Sequence, residues 1–403
     1  MKLVSFLGTT DYQEVVYAHG DAECSTRFFP VAAHSFFQPD SVHLVVTEAA
    51  EQKHYAAIAA ELGSGVPVTP IRIPEGRSET EIWQIFAALT EALQTGDEVI
   101  LDITYGFRSL PMLSIIAAAF LRVAKGVAFK HLIYGAFDVK DERGRRPVFD
   151  LSSFLTLMEW TSATDQFLKT GNAGDLVTQL RAAHSLPYRT PRSGDKERLP
   201  RQLQTVGAAI GAVSTAMRLV RPHEVMTAAV GLDEQLTAVR PEVEEWAKPF
   251  SLLLDRTRTA YAAFALTEPM VEIPISLNKQ LALIHWYLER DQIVQAVTLA
   301  REWVVSLTCF RLKWHLIDDR HLAESMLNLG VHALRDGKPL PPPIKNVTDI
   351  TALIKAWSRI QDLRNDVAHC GMRTTPRPTS KIIAGITELV EELDILAPAL
   401  LEI

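Results

Sequence analysis

The hydrophobic pattern of this chain changes once, near Asp150, and that change limits the folds open to it. Before Asp150, short apolar segments such as DEVILDIT (97–104) alternate with stretches that carry apolar residues at helical spacing. After Asp150, long helical patterns follow one another and strand-like segments almost disappear. Buried strands that alternate with amphipathic helices predict a mainly parallel sheet covered on both faces. We therefore expect a Rossmann-like α/β domain followed by an all-α region.

Length and composition favour a folded protein with more than one domain. The 403 residues exceed what one hydrophobic core usually serves, and a hydrophobic content of 47% argues against disorder. The formal net charge of -7 gives no overall basic surface. Any nucleic acid is therefore expected to bind a local patch or a small groove.

Cysteine spacing and the most apolar segment indicate a soluble protein of a reducing compartment. Cys24, Cys309 and Cys370 lie far apart, without a CxxC pair or a His/Cys cluster at metal-ligand spacing, so neither a disulfide framework nor a metal site is expected. The N-terminus lacks a signal-peptide pattern. The apolar stretch 110–123 is too short to span a bilayer and predicts a core helix. We expect a cytoplasmic protein that does not contact membranes.

Two predicted strands end in residues that suit an anionic or nucleotide-like ligand. In an open parallel sheet, small ligands bind beyond the carboxyl ends of the strands, where loops expose backbone amides and helix N-termini favour anions. Glycine permits close backbone approach, threonine hydroxyls donate to phosphate or ribose oxygens, and arginine pairs with phosphate or stacks on a base. The first strand is followed by Gly8, Thr9 and Thr10, and the segment DITYGFRSLP contributes Asp102, Thr104, Gly106, Arg108 and Ser109.

Simpler interpretations of these strand ends stay open. Gly106 can be a turn glycine and Arg108 a surface residue near a helix N-terminus, because only the strand-end position favours a binding role. No GxGxxG pattern follows the first strand, so a nicotinamide dinucleotide site has little support.

The segment DITYGFRSLPML resembles the motif of the CRISPR-associated DxTHG proteins, where Asp-x-Thr-His-Gly-Phe-Arg ends a strand of a CARF domain, the CRISPR-associated Rossmann-like module. IYGAFD (133–138) and the segment 150–172 also resemble that family. The resemblance implies that residues 1–150 bind a cyclic oligoadenylate, the second messenger of type III CRISPR systems, across the two-fold axis of a dimer. The residues implied to form this site are Gly8, Thr9, Thr10, Asp102, Thr104, Tyr105, Gly106 and Arg108.

One position departs from the family motif. Tyr105 occupies the place of the family's histidine. Tyrosine keeps a ring that stacks and forms hydrogen bonds, but it has no proton that titrates near neutral pH. An acid or base role at this position is therefore not implied for this chain.

The segment TDITALIKAWSRIQDLRNDVAHCG predicts one amphipathic helix near the C-terminus, with Thr348 or Asp349 as N-cap and Gly371 at the C′ position. Arg364 and His369 fall on its last turns. Cleavage of RNA by the 2′-hydroxyl needs a group that transfers protons and a cation that stabilises the phosphorane, and no metal in principle. His369 could supply the first and Arg364 the second.

A structural role for the same residues also stays open, since arginine and histidine at a helix end commonly complement the helix dipole. At 3.6 residues per turn the two side chains point about 140° apart on one straight helix. A shared site therefore needs a distorted helix end or a second copy of the chain. The sequence does not decide whether Glu302 and Asp366 orient Arg364 or only solvate helices.

The pattern Arg364-Asn365-x-x-x-His369 resembles the signature of HEPN ribonucleases, an arginine and a histidine separated by a short spacer that begins with a polar residue. Together with the CARF-like first domain, this order resembles the CARF-HEPN ribonucleases of type III CRISPR defence. It implies a CARF domain at 1–150, a helical linker region at 151–250 and a HEPN domain at 251–403, with Arg364, Asn365 and His369 as catalytic residues.

The implied function is a metal-independent endoribonuclease that cleaves single-stranded RNA when a cyclic oligoadenylate binds, with cyclic tetra-adenylate as the expected activator and a homodimer or larger assembly as the active form. Two alternatives remain. The first is a ring nuclease that degrades the activator itself, with Thr9, Thr10 and Thr104 orienting the 2′-hydroxyl. The second is a non-catalytic sensor whose helical half recruits a partner.

Overall fold

The computed structural model describes residues 1–106, 110–189, 199–372 and 374–401. The chain forms two compact units, Met1–Glu159 and Trp160–Ile403. The first contains all the strands of the described residues and the second is helical, so the expected α/β domain and all-α region are confirmed. The finer division at residues 150 and 250 stays a prediction.

The first unit is built on one eight-stranded sheet whose order is β3-β2-β8-β7-β6-β1-β4-β5. The five neighbouring strands β7, β6, β1, β4 and β5 are parallel. At one edge, β8 is antiparallel to β7 and parallel to β2, and β3 is antiparallel to β2. The strands are β1 (Lys2–Phe6), β2 (Val15–His19), β3 (Ala22–Thr26), β4 (Ser41–Val46), β5 (Val68–Arg72), β6 (Glu98–Asp102), β7 (Ala128–Gly135) and β8 (Arg146–Asp150).

Helices cover the sheet on both faces because the central strands are apolar on both sides. Val4 and Phe6 of β1 belong to one buried cluster, and Leu3 of the same strand belongs to another on the opposite face. The helices of this unit are α1 (Phe29–Phe37), α2 (Glu48–Ala50), α3 (Ala56–Leu62), α4 (Glu79–Ala92) and α5 (Leu110–Lys125). A π-helical turn, Glu51–Tyr55, joins α2 to α3.

Helices α4 and α5 each depart from the simplest form that their sequences suggest. The Ser-x-x-Glu pattern does cap α4, since Ser78 accepts a hydrogen bond from the Glu81 N–H at 3.2 Å, but the Glu81 carboxylate binds the N–H of Arg77 instead of that of Ser78. Helix α5 is buried on one side only. Its other side exposes a stripe of apolar residues four and three positions apart: Met112, Ile116, Phe120 and Val123.

The second unit is an all-α structure around one continuous apolar core. Trp303, Trp357 and Tyr287 are fully buried and Trp286 nearly so, as their helical spacing predicts. Its helices are α7 (Gly174–Arg189), α8 (Leu203–Arg218), α9 (Pro222–Ala238), α10 (Arg240–Trp246), α11 (Lys248–Ala262), α12 (Ile273–Leu288), α13 (Ile293–Leu312), α14 (Arg320–Arg335), α15 (Ile350–Ala368) and α16 (Thr379–Leu401), while α6 (Ser152–Thr170) contains the boundary between the units.

Helix α13 alone, within the described segments, has the length and apolar composition of a membrane span. Of its most apolar window, 61% is buried inside the protein. A helix buried to this extent is typical of the core of a helical domain.

Candidate functional site

The first candidate site lies where the direction of the strand order reverses. From β1 the chain moves to β4 and β5 on one side and then to β6 and β7 on the other, so the carboxyl ends of β1 and β6 flank a topological switch point. Gly8, Thr9 and Thr10 follow β1, and Asp102 is the last residue of β6. The two predicted groups of ligand-binding residues therefore share one edge of the sheet.

Asp102 is a fully buried carboxyl group at this edge. The Ser5 hydroxyl of β1 donates to Oδ2, and the Thr104 N–H donates to Oδ1 at 2.8 Å. Burial penalises the charged carboxylate and raises the pKa of Asp102 to about 6, although these hydrogen bonds partly oppose the effect. Asp102 thus links the ends of β1 and β6 through hydrogen bonds and has no contact with bulk solvent.

Thr104 and Gly106 shape the turn after β6. Thr104 Oγ1 accepts a hydrogen bond from the Gly135 N–H at 2.8 Å, which ties the turn to the end of β7. The Gly106 N–H donates to the Ile103 carbonyl at 3.3 Å, and a Cβ atom at Gly106 would lie 2.9 Å from Pro111 Cγ. A side chain at this position would therefore crowd Pro111, which favours glycine. Arg108 and Ser109 lie outside the described residues.

The Tyr105 hydroxyl forms hydrogen bonds with three other residues of the protein. It lies 3.1 Å from the Tyr17 hydroxyl, accepts from the Phe29 N–H at 3.3 Å and donates to the Arg27 carbonyl at 3.2 Å. Burial raises the pKa of Tyr105, so its proton stays in place at physiological pH. The ring lies against that of Tyr12, with centroids 4.1 Å apart. Tyr105 therefore acts as a positioning residue for the neighbouring loops.

Three residues that the sequence analysis missed hold the loop after β1. Lys53 donates to the Thr9 carbonyl at 2.8 Å and pairs with Asp11 at 2.6 Å, while His54 Nε2 lies 2.9 Å from the Thr10 carbonyl. Tyr12 is the third.

The Tyr12 hydroxyl accepts from the Gly8 N–H at 2.8 Å and donates to the Gly8 carbonyl at 3.3 Å. Burial raises the pKa of Tyr12 to about 12 and lowers the pKa of His54. The carbonyls of Thr9 and Thr10 are thus bound by Lys53 and His54, while both residues are exposed at the surface.

The sequence did contain a signal for Lys53 and His54. They lie on the π-helical turn in the helix that directly follows β4, and the carboxyl end of β4 adjoins that of β1. The first turns of such a helix lie at the ligand-binding edge of a parallel sheet. π-helical turns within α-helices are frequent at functional sites.

The second candidate site is the exposed end of α15. The helix begins after Asp349, as predicted, although this residue has a positive φ and no side-chain capping bond. Arg364, Asn365 and His369 are all exposed, and Arg364 Nη1 donates to Asn365 Oδ1 at 3.4 Å. Among the described residues neither Arg364 nor His369 has a carboxylate partner.

The helix keeps regular α geometry through Ala368. Arg364 and His369 therefore stay on different faces, about 140° apart at 3.6 residues per turn. One copy of α15 does not bring the two side chains together.

The helix end is closed by a Schellman motif that places a different residue from the predicted one at C′. His369 is the C-cap, Cys370 has the left-handed conformation at φ 54°, and Gly371 is the C″ residue. The Gly371 N–H donates to the Asp366 carbonyl at 3.0 Å and the Cys370 N–H to the Val367 carbonyl at 3.1 Å. The motif fixes the backbone of His369 at the helix end.

The two carboxylates considered as partners of Arg364 have other contacts. Glu302 accepts from Arg301 and Arg320, each at 2.5 Å. Asp366 is buried, and its Oδ2 lies 3.4 Å from the Arg377 N–H. Asp366 therefore helps to attach the segment that follows the helix.

Comparison with protein families gives a match to a segment that lies, in the sequence, after the first candidate site and before the second. Residues 156–263 match the family model of the second domain of CRISPR-associated protein MJ1674. The curated protein of that name from Methanocaldococcus jannaschii is 38% identical over 104 residues, which are 25% of this chain and 16% of that relative. The chain thus matches a small part of the length of this relative.

Among solved structures, the Csm6 protein of Enterococcus italicus bound to cyclic hexa-2'-fluoro-hexa-dAMP aligns over 99% of this chain and 94% of its own, with 14% identity and a TM-score of 0.46. The matched family segment, 156–263, contains neither the strand-end residues nor Arg364, Asn365 and His369. The roles of these residues therefore stay predictions.

Proposed function

We propose that this protein is an endoribonuclease of type III CRISPR antiviral defence, switched on by a cyclic oligoadenylate. The observation that carries the proposal is the exposed group Arg364, Asn365 and His369 at the end of α15 in a helical unit. The similarity of residues 156–263 to a CRISPR-associated protein supports the biological context. We place the enzyme in the cytoplasm, where its RNA substrate and activator would be found.

The chemistry follows from the residue types. His369 accepts the proton of a ribose 2′-hydroxyl. The ribose 2′-oxygen then attacks the adjacent phosphorus and displaces the 5′-oxygen, which takes up a proton. The products are a 2′,3′-cyclic phosphate and a 5′-hydroxyl. Arg364 stabilises the charge that develops on the phosphorane oxygens, and Asn365 orients the arginine. No step requires a metal ion.

The angular separation on α15 favours an active site made by two copies of the chain. Two antiparallel or crossing helix ends bring His369 of one copy near Arg364 of the other, which one straight helix does not do. The exposed stripe on α5 supports self-association, because its side chains are 49% to 91% exposed and uncharged over about three turns. A second copy presents the same stripe, as a two-fold interface requires.

The strand-end site of the first unit is the proposed activator site. Exposed Thr9 and Thr10 hydroxyls can donate to phosphate oxygens, and the Tyr12 and Tyr105 rings that follow the same two strands lie 4.1 Å apart. We propose cyclic tetra-adenylate as the natural ligand. Its binding shifts the paired copies toward the arrangement in which both helix ends form one cleft.

The test is a cleavage assay with fluorescent single-stranded RNA, a chelator, and either cyclic tetra-adenylate or cyclic hexa-adenylate. Wild-type protein is expected to cut RNA only with activator present, and His369→Ala should lower the rate by at least about a hundredfold, as for loss of a general base. His332→Ala is the matched control, since His332 is also exposed in the last turn of a helix. Full activity of His369→Ala would exclude the proposed catalytic role.

The same assay separates the alternatives. Loss of the labelled activator without RNA cleavage would identify a ring nuclease at the strand ends. Tight activator binding with neither reaction would identify a sensor. Either result would replace the ribonuclease proposal.

A further inference from the structure

The antiparallel edge of the sheet brings additional residues to the strand-end site. Because β8 is antiparallel to β7, its first residue, Arg146, lies beyond the last residue of β7, Gly135. Arg146 also pairs in register with Tyr17 of β2. The end of β3 adjoins the start of β2, so Arg27 lies at the same edge.

Arg146 is a partly buried cation that forms no ion pair with a carboxylate in the described part of the chain. Its guanidinium lies 5.3 Å from the centre of the Phe137 ring, and Nη1 is 3.5 Å from the Val139 carbonyl. The buried Nε has no hydrogen-bond partner among the residues that the structure describes. The adjacent Arg145 is different, since it pairs with Glu23 at 2.6 Å and Asp141 at 2.7 Å.

Arg146 is the register partner of Tyr17, whose hydroxyl belongs to the aromatic cluster of the candidate site. The Tyr17 hydroxyl lies 3.1 Å from that of Tyr105, whose ring packs on Tyr12. Tyr17 and Arg146 are register partners on neighbouring parallel strands, so their side chains leave the sheet on the same face. A guanidinium donor that lacks a partner and lies close to aromatic side chains suits a phosphate oxygen of a nucleotide.

Arg27 provides a second cation from the turn after β3. Its side chain is exposed, lies 4.7 Å from the centre of the Phe28 ring, and forms no ion pair with any carboxylate of the described segments. Its carbonyl accepts the Tyr105 hydroxyl proton at 3.2 Å, which fixes the backbone of Arg27 beside the same cluster. The two arginines thus flank the tyrosines from two separate strands.

We infer that Arg146 and Arg27 bind phosphodiester groups of the activator, so that the antiparallel edge of the sheet takes part in ligand recognition. The inference rests on the proposed function, because it names further contacts of the same site. Neither arginine belongs to the strand ends that the sequence motif marks. Partial burial gives Arg146 the larger share of the binding free energy, since a desolvated charge interacts more strongly with an anion.

The experiment is titration calorimetry of the full-length protein with cyclic tetra-adenylate and cyclic hexa-adenylate at several salt concentrations. Arg146→Gln is expected to weaken binding about tenfold and Arg27→Gln about threefold. Each lost phosphate contact should reduce the slope of log affinity against log salt by about 0.7. Arg146→Lys should recover part of the affinity, because it keeps the charge but loses the planar fork.

Arg77→Gln is the control, as Arg77 is exposed in the same unit and pairs with Glu75 at 3.0 Å. Thermal unfolding of each variant shows whether the unit is folded, and Arg27, an exposed residue, can be replaced without disturbing the core. If the wild type binds and both glutamine variants bind equally well with an unchanged salt slope, the inference is wrong while the proposed function stands. If the wild type binds neither cyclic oligoadenylate, both fail.

Discussion

Asp102 is the buried carboxyl group at the end of β6, and its replacement by asparagine tests the electrostatics of the candidate activator site. Asparagine has nearly the same shape and can still accept from the Thr104 N–H and donate to the Ser5 hydroxyl. It removes only the charge. The expected result is a stability difference between Asp102→Asn and wild type that grows in favour of the variant as the pH rises.

The magnitude follows from the pKa. Burial raises the pKa of Asp102 from 3.8 to about 6, and one pKa unit corresponds to about 1.4 kcal/mol. The folded protein therefore holds a proton that the unfolded chain releases above 3.8, and wild-type stability falls as the pH rises from about 4 through about 6. Above the pKa of Asp102 in the folded protein, the wild type has lost about 3 kcal/mol of unfolding free energy at most. Asp102→Asn has no carboxyl group to ionise and does not lose this free energy.

Hydrogen exchange measured by mass spectrometry on peptides that contain β1 and β6 reports the local opening free energy at each pH. Asp97→Asn is the control at the other end of β6. Burial raises the pKa of Asp97, but hydrogen bonds from Lys2 and the Gln94 N–H outweigh it, so that pKa is lowered. Asp97→Asn should be less stable than wild type by a constant amount between about pH 4 and about pH 8. A constant difference for Asp102→Asn as well would refute the burial argument.

Three further substitutions test positions around the candidate sites. Tyr105→Phe removes a hydroxyl that bonds Tyr17, Phe29 and Arg27, so thermal unfolding should show a loss of about 1–2 kcal/mol; an unchanged melting temperature would contradict the positioning role. Cys370→Gly should raise stability by about 0.5–1 kcal/mol, because Cys370 has a left-handed backbone. Gly371→Ala should lower it by a similar amount at φ 68°, and equal stabilities of the two variants would show that the Schellman motif does not constrain these residues.

The sequence predicted the central strands well because their hydrophobic pattern is continuous. The segment DEVILDIT (97–104) contains β6, and the similar apolar runs SVHLVVT (41–47) and KHLIYGAF (130–137) contain β4 and most of β7. It did not predict β2, β3 and β8. These strands are five residues long and partly exposed, so their pattern differs little from that of a loop, and their pairing depends on contacts distant in the sequence.

The candidate sites likewise contain residues that the sequence predicted and residues that it did not. The motif around Asp102 and the triplet Gly8, Thr9 and Thr10 follow strands, and the edge they share could be inferred from the parallel arrangement. Lys53 and His54 were missed, since each acts through a backbone carbonyl of a segment distant in the sequence. Tyr12 was missed because its hydroxyl binds the Gly8 backbone within the same loop and belongs to no motif. Arg146 belongs to no recognised motif, and the antiparallel pairing of β7 with β8 brings it to the edge of the sheet that holds the candidate site.

The sequence by itself determined which segments are strands or helices wherever apolar residues repeat over several turns or fill a whole strand, because local burial requires that pattern. It also determined that Arg364 and His369 lie on one helix and point in different directions, since helical geometry fixes the angle. Tertiary structure decided which side chains meet: the Tyr105 hydroxyl lies 3.1 Å from that of Tyr17, and Arg146 pairs in register with Tyr17. Such contacts depend on strand order and register, which long-range packing sets and local periodicity does not record.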